Sequence, residues 1–148
     1  MGAIPFHVSI HVCPPPPLAM RPIELRGVAI NALMPSSVGA ATSFAVSFEE
    51  VLERLQTLPR MFVEPDGSWV WVSSHKPSQN EPAWQLDGVL YDRAGYVLHM
   101  ELKGWCPASA LDLLLGTLGW PATPVMYQLV QEAIFLDDSE FRRLAYGD

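Results

Sequence analysis

The chain has 148 residues, of which 49% are apolar and 10% aromatic, and its formal net charge is −7. This length and composition predict one domain with a substantial hydrophobic core, and they exclude wholesale disorder. Lysine is rare and the arginines are scattered, so the overall charge argues against nucleic acid as a partner. No apolar run reaches the roughly 20 residues of a membrane-spanning helix. The two cysteines, Cys13 and Cys106, are typical of free thiols in a reducing cytoplasm.

The first third of the chain differs in composition from the rest. Four consecutive prolines, Pro14 to Pro17, favour an extended segment. Residues 1–46 carry two arginines and one glutamate, whereas the remainder carries seven basic and fifteen acidic residues. We therefore expect residues 1–42 to be an N-terminal extension with room for one short strand. Residues 43–148 are expected to form a single α+β domain.

The first helix and the first hairpin of that domain have clear signals. Ser47-Phe-Glu-Glu50 is a capping box, so it predicts a helix that begins at Phe48 and ends before Pro59. Two β-rich runs then flank Pro65-Asp66-Gly67, which is a strong hairpin turn. A polar loop is expected from Ser73 to Pro82.

The C-terminal half continues with a second hairpin over residues 84–103, whose turn is expected at residues 92–95. Pro107 opens a helix with Leu111, Leu114, Leu115 and Leu118 on one stripe. Residues 125–135 are expected to form a strand, and Asp137 with Glu140 caps a last helix. The predicted fold is an antiparallel sheet of two hairpins with helices packed against it, in the order α-β-β-β-β-α-β-α.

The second hairpin carries the residues of greatest chemical interest. A type I turn with a bulge at Gly95 places Asp87 opposite Glu101, and Gln85 opposite Lys103. Period-two alternation then puts these four side chains, with Val89 and His99, on one face. Trp84, Leu86, Leu90, Leu98, Met100 and Leu102 are expected on the other, buried face. Like charges opposite each other destabilise a sheet, and a bound cation would remove that cost. The same pattern also fits an ordinary sheet with one dry and one solvated face.

Leu86-Asp87, a β-turn, an apolar strand and then Glu101-Leu-Lys103 resemble the signature of the PD-(D/E)xK nuclease-like superfamily. The resemblance implies a core of helix, three antiparallel strands, helix and strand. It also implies that Asp87 and Glu101 bind Mg²⁺ and that Lys103 orients the attacking water. Glu50 or Glu53 of the first helix would add a carboxylate. The chain departs from the motif because Leu86 replaces its proline, and because the following helix offers no basic or Gln residue for phosphate.

Other residue groups have a chemical and a structural interpretation. His7, Ser9, His11 and Cys13 share one face of the first apolar strand, where two imidazoles and a thiolate would suit a soft metal. His99 lies beside Glu101 and would suit a base or a ligand. Polar residues on the solvated face of a strand are the more common explanation of both patterns.

Two functions therefore stay open. The leading hypothesis is a non-catalytic cytoplasmic domain without a cofactor, which binds a protein partner or associates with itself. The alternative is a Mg²⁺-dependent nuclease or phosphodiesterase domain with Asp87, Glu101 and Lys103 at its centre.

Overall fold

The computed structural model describes residues 5–35, 42–73 and 82–147 of the chain. In chain order the elements are β1 (Phe6–Val12), β2 (Met20–Leu25), β3 (Val28–Leu33), α1 (Phe48–Gln56), β4 (Met61–Val63), β5 (Ser68–Val72), β6 (Gln85–Arg93), β7 (Tyr96–Trp105), α2 (Ala108–Gly116), β8 (Val125–Leu129), β9 (Ile134–Asp137) and α3 (Asp138–Tyr146). None of the described helices has the length and apolar composition needed to cross a bilayer. The polar loop expected from Ser73 to Pro82 lies outside the described residues except at its two ends.

The strands form one antiparallel sheet in the order β2-β3-β9-β8-β1-β7-β6-β5-β4. The α+β class and the antiparallel sheet are therefore as expected. The predicted element order is incomplete, because the first 42 residues add three strands. The expected strand over residues 125–135 is also two strands, since the chain reverses where Ala133 N–H donates to the Leu129 carbonyl at 2.8 Å.

The first strand lies at the centre of the sheet. β1 pairs with β7 on one side and with β8 on the other. Its inward side chains Phe6, Val8 and Ile10 are buried in the core. The expected boundary at residue 42 between an extension and a domain does not separate two parts of the sheet. β1 to β3 precede that boundary and belong to the same sheet as the later strands.

The three helices of the described residues cover one face of the sheet and enclose a single core. Ser47 caps α1 by accepting a hydrogen bond from Glu50 N–H at 3.1 Å, and Asp137 caps α3 through Glu140 N–H at 2.8 Å. Both caps are as predicted. Helix α3 packs on the sheet through Phe141, which lies edge-on to Phe6 and stacked against Tyr127. The buried apolar side chains of all three helices join one cluster with those of the strands, among them Val51, Leu55, Trp69, Trp71, Leu86, Met100, Leu102, Leu111, Leu114 and Leu115.

The opposite face of the sheet, called the outer face below, has none of the described helices packed on it. It carries the alternate side chains of each strand, including His7, Ser9 and His11 of β1, Asp87 and Tyr91 of β6, and His99, Glu101 and Lys103 of β7. The predicted division of the second hairpin into two faces is therefore confirmed, with one exception at Leu98.

That exception arises in the turn of the second hairpin. Ala94 and Gly95 both have positive φ, 54° and 87°, which is the geometry of a two-residue type I′ turn. A bulge follows, because Tyr91 pairs with His99 while Asp92 pairs with Val97. The extra residue is Leu98. As a result Val97 is fully buried and Leu98 is half-buried, in place of the predicted burial of Leu98.

Candidate functional site

The structure changes the partner of each carboxylate in the second hairpin. Asp87 lies opposite Lys103, and Glu101 lies opposite Val89. The expected pairing of Asp87 with Glu101 is wrong, because the two-residue turn and the bulge at Leu98 shift the register by two residues. Gln85 likewise lies opposite Trp105, not Lys103.

Asp87 is an exposed carboxylate in a neutralising environment. Gln85 Nε2 donates to its Oδ1 at 2.9 Å, and the lysine of the neighbouring strand lies directly across from it. Opposite charges at facing positions stabilise a sheet. The repulsion that would have favoured a cation between Asp87 and Glu101 is therefore absent from this register.

Glu101 is held by side chains from both neighbouring strands. His7 Nε2 lies 2.8 Å from Glu101 Oε2, and Tyr91 donates its hydroxyl to Glu101 Oε1 at 3.3 Å. The hydrogen bond from His7 is the main reason that the pKa of Glu101 lies below its ordinary value. Each oxygen of this carboxylate thus has a protein partner, and Glu101 ties β1 and β6 to β7.

The remaining candidate ligands do not gather around these carboxylates. Within residues 5–35, 42–73 and 82–147, no group of three or more His, Cys, Asp or Glu side chains is placed to hold a metal ion. Helix α1 packs on the buried face of the sheet, whereas Asp87 lies on the outer face. Glu50 and Glu53 of α1 therefore do not approach Asp87. Glu50 instead accepts a hydrogen bond from Arg54 at 2.9 Å.

Aromatic and imidazole rings form a continuous cluster across the middle of the outer face. Phe135 of β9 lies edge-on to His11, with ring centroids 5.6 Å apart. His11 stacks on His99 at 4.9 Å, and His99 in turn contacts Tyr91 at 4.7 Å. We call Phe135, His11, His99 and Tyr91 the ring cluster. Burial within it lowers the pKa of His99 below the ordinary value, so His99 resists protonation in the folded protein.

Ser9 and His11 form a close pair beside the ring cluster. Ser9 Oγ lies 2.7 Å from His11 Nε2, and it also lies 3.4 Å from Gln128 Oε1. A hydroxyl next to an imidazole is the pairing that nucleophilic catalysis uses. Here only 6% of Ser9 and 7% of His11 is exposed, so neither is open to a substrate, and the pair joins β1 to β8. The shared face of His7, Ser9 and His11 is as predicted, and these side chains serve hydrogen bonding and stacking.

Large apolar side chains are exposed at the margins of the same face. Phe62 of β4 is 62% exposed. It pairs with Val70 of β5, which in turn pairs with Asp87 of β6, so Phe62 lies on the same face of the sheet as Asp87. Met20 of β2 is 48% exposed. It pairs with Leu33 of β3, which in turn pairs with Phe135 of β9, so Met20 lies on the same face as Phe135. Tyr91 is 41% exposed at the end of the ring cluster. Met20 and Phe62 were not identified from the sequence. Their positions on the outer face follow from strand alternation once the pairing of β2 with β3 and of β4 with β5 is known.

The outer face therefore combines a ring cluster, a hydrogen-bonded carboxylate and exposed apolar side chains. No family model, curated protein or solved structure matches this chain.

Proposed function

We propose that the chain is a non-catalytic binding domain whose outer face docks a protein partner that presents basic and apolar groups. The observation that carries the proposal is the exposure of Met20, Phe62 and Tyr91 on the face that the described helices leave uncovered. Exposed apolar side chains at the margins of a polar surface are typical of sites that bind another protein.

Charge supports the choice of a basic partner. Three carboxylates, Glu24, Asp87 and Glu101, lie on the outer face, against the two permanent cations Lys103 and Arg93. The whole chain has a net charge of −7. An acidic surface attracts a basic partner and opposes docking of a second identical copy.

The geometry of the sheet edges also favours docking on the face over strand addition. Edge strand β4 has only three residues. In edge strand β2, Pro22 lies opposite Asn31, whose N–H turns away from β2 to Glu140 Oε1 at 2.9 Å. The alternation of an antiparallel ladder then directs the nitrogen of Pro22 to the free edge, where it offers no donor. Short edges and edge prolines both oppose pairing with another chain.

We place this binding in the cytoplasm, because the described cysteines form no disulfide. Burial also raises the pKa of the Cys106 thiol to about 12, so that thiol has little reactive thiolate at neutral pH.

The experiment that tests the proposal is site-specific photo-crosslinking in the native host, followed by titration of the purified partner. A photoreactive phenylalanine replaces Phe62 or Tyr91, and the control position is Leu113, which is 56% exposed on α2 at the helical side. We expect one shared partner from both outer-face positions and not from position 113. The partner is then titrated against the wild-type protein, the Phe62→Ser Tyr91→Ser double variant and the Leu113→Ser variant.

The double variant is expected to bind at least about tenfold more weakly, since buried aromatic anchors dominate such interfaces. Leu113→Ser is expected to bind like the wild type, and added salt is expected to weaken binding to the wild type. Equal affinities of all three proteins would overturn the proposal. So would the absence of a crosslink specific to the outer face.

A further inference from the structure

A cavity of about 400 Å³ opens at the end of the sheet where β1 begins, on the side that carries the described helices. Its floor is formed by five buried apolar side chains, which are Phe6, Val8, Leu129, Phe141 and Leu144. A concave site of this volume with an apolar floor and few polar groups is typical of small-molecule binding. The cavity therefore has room for a small organic molecule with an apolar body.

The charged side chains at the rim of the cavity neutralise each other. Arg26, in the turn between β2 and β3, and Glu132, in the turn between β8 and β9, both line the cavity, and Arg26 Nη2 lies 3.5 Å from Glu132 Oε2. The side chain of Lys103 lies on the outer face opposite Asp87, and that of His7 lies on the same outer face. The charges that reach the cavity from the described residues therefore sum to zero.

The pair of Arg26 and Glu132 keeps hydrogen-bonding capacity for a ligand. Their separation of 3.5 Å is longer than the roughly 2.7–2.9 Å of a charge-assisted hydrogen bond. Both side chains are also partly exposed, at 42% and 27%. A guanidinium carries several N–H donors, and each carboxylate oxygen accepts more than one hydrogen bond. The rim thus offers a donor and an acceptor side by side above an apolar floor.

We propose that this cavity binds a neutral organic molecule with an aromatic or branched apolar body and a terminal carboxamide. The body would lie on Phe6, Phe141 and Leu144, where it removes apolar surface from water. The carboxamide oxygen would accept a hydrogen bond from Arg26, and the carboxamide N–H would donate to Glu132. A carboxamide has both the acceptor and the donor that this pair requires, and it carries no charge.

The paired rim disfavours ions of either sign. A carboxylate would be attracted by Arg26 and repelled by Glu132, and an ammonium group would meet the reverse. Each ion would also lose hydration beside an apolar floor, without a net opposite charge to compensate the loss. This site lies on the helical side of the sheet and is independent of the partner proposed for the outer face.

The test uses three probes that share a naphthalene body and differ in charge. At neutral pH 2-naphthamide is neutral, 2-naphthoate is an anion and 2-naphthylmethylammonium is a cation. Each is titrated by isothermal calorimetry into the full chain. We expect 2-naphthamide to bind about tenfold more tightly than either ion, which is the scale of one net hydrogen bond. Absence of saturable binding of 2-naphthamide would overturn the proposal, and so would an ion that binds as tightly as the amide.

Neutralising one member of the pair should change the preferred charge. Glu132→Gln leaves Arg26 unopposed, so 2-naphthoate should gain about tenfold in affinity while the ammonium probe gains nothing. Arg26→Gln should produce the reverse preference. The matched controls are Glu49→Gln on α1 and Arg93→Gln at the second hairpin turn, which change the net charge equally at positions that do not line the cavity. Equal effects of a rim variant and its control would overturn the proposal.

Filling the cavity tests the location of the site. Ala145 lines the cavity, so Ala145→Phe should remove measurable binding of 2-naphthamide, because the new ring occupies the space of its apolar body. The control is Leu113→Phe at an exposed position of α2, which should bind like the wild type. Thermal melting establishes which variants are folded. Unchanged binding by a folded Ala145→Phe protein would overturn the proposal. If that variant fails to fold, the opposite shifts of the two rim variants decide.

Discussion

The indole of Trp69 lies against the backbone of Gly88, its direct partner on the neighbouring strand. A Cβ atom at position 88 would lie only 2.0 Å from Trp69 Cζ2. Trp69 is itself buried, with 2% of its surface exposed. The glycine thus provides the space in which the tryptophan packs between β5 and β6.

We predict that Gly88→Ala destabilises the protein by about 3 kcal/mol, because the indole or the strand must move to admit the methyl group. The matched control is Gly116→Ala at the end of α2, where an added Cβ meets nothing within 4 Å. Alanine is the better helix former, so this variant should be unchanged or up to about 1 kcal/mol more stable. Urea unfolding of both proteins checks the pair, and similar destabilisation by both would contradict the packing of Trp69 on Gly88.

A second prediction follows from the bulge in β7. Val97 is fully buried, whereas Leu98 is half-buried. Val97→Ala should therefore cost about 2 kcal/mol, because it removes two buried methyl groups and leaves a cavity. Leu98→Ala should cost less than about 1 kcal/mol despite its larger loss of atoms. Chemical denaturation measures both, and the reverse order would show that the register lacks the bulge.

Stability should fall in mild acid because of His99. Burial between His11 and Tyr91 lowers its pKa in the folded protein, while the unfolded chain has a pKa near the ordinary 6.5. A lowered folded pKa means that the unfolded state takes up its proton first. Stability is therefore lost as pH falls below about 6.5 and towards the folded pKa.

The variant His99→Phe keeps a ring in the stack and removes this titration. Its free energy of unfolding should change less between pH 7 and pH 5 than that of the wild type. Denaturant melts at several pH values provide the comparison. Parallel pH profiles for the two proteins would show that His99 is protonated equally easily in both states.

Removal of the first 42 residues should abolish cooperative folding. A protein that starts at residue 43 lacks β1, so β7 and β8 lose the strand that lies between them. The core also loses Phe6, Val8 and Ile10. A protein that starts at Pro5 keeps the nine strands that the structure describes and is the control. Thermal unfolding followed by circular dichroism should be cooperative for the control and absent for the shorter protein.

The sequence predicts the local structure of this fold well. Ser47 and Asp137 cap their helices as expected, and Asp66-Gly67 and Ala94-Gly95 form tight turns. The positions of these caps and turns depend on neighbouring residues alone, so the amino-acid pattern is sufficient to locate them. The type of the second turn was predicted incorrectly, because Ala94-Gly95 forms a two-residue type I′ turn in place of a type I turn with a bulge at Gly95.

The long-range pairing could not be predicted in the same way. His7 and Glu101 are 94 positions apart, and nothing local to either residue selects β7 as the neighbour of β1. The bulge was also hidden, because Val97 and Leu98 are both apolar and either one fits a buried position. Since the register depends on the bulge, the partner of Asp87 was predicted incorrectly even though its face was predicted correctly.

The central position of β1 also has a consequence for how the protein is made. β1 leaves the ribosome before both of its neighbours in the sheet, and the later of these, β8, ends at Leu129. At 5–20 residues per second the first strand waits roughly 6–24 s for its partners. Throughout that interval Phe6, Val8 and Ile10 belong to an apolar segment without its native partners, which is the kind of segment that aggregates. The nascent chain is therefore most vulnerable until β8 has been synthesised.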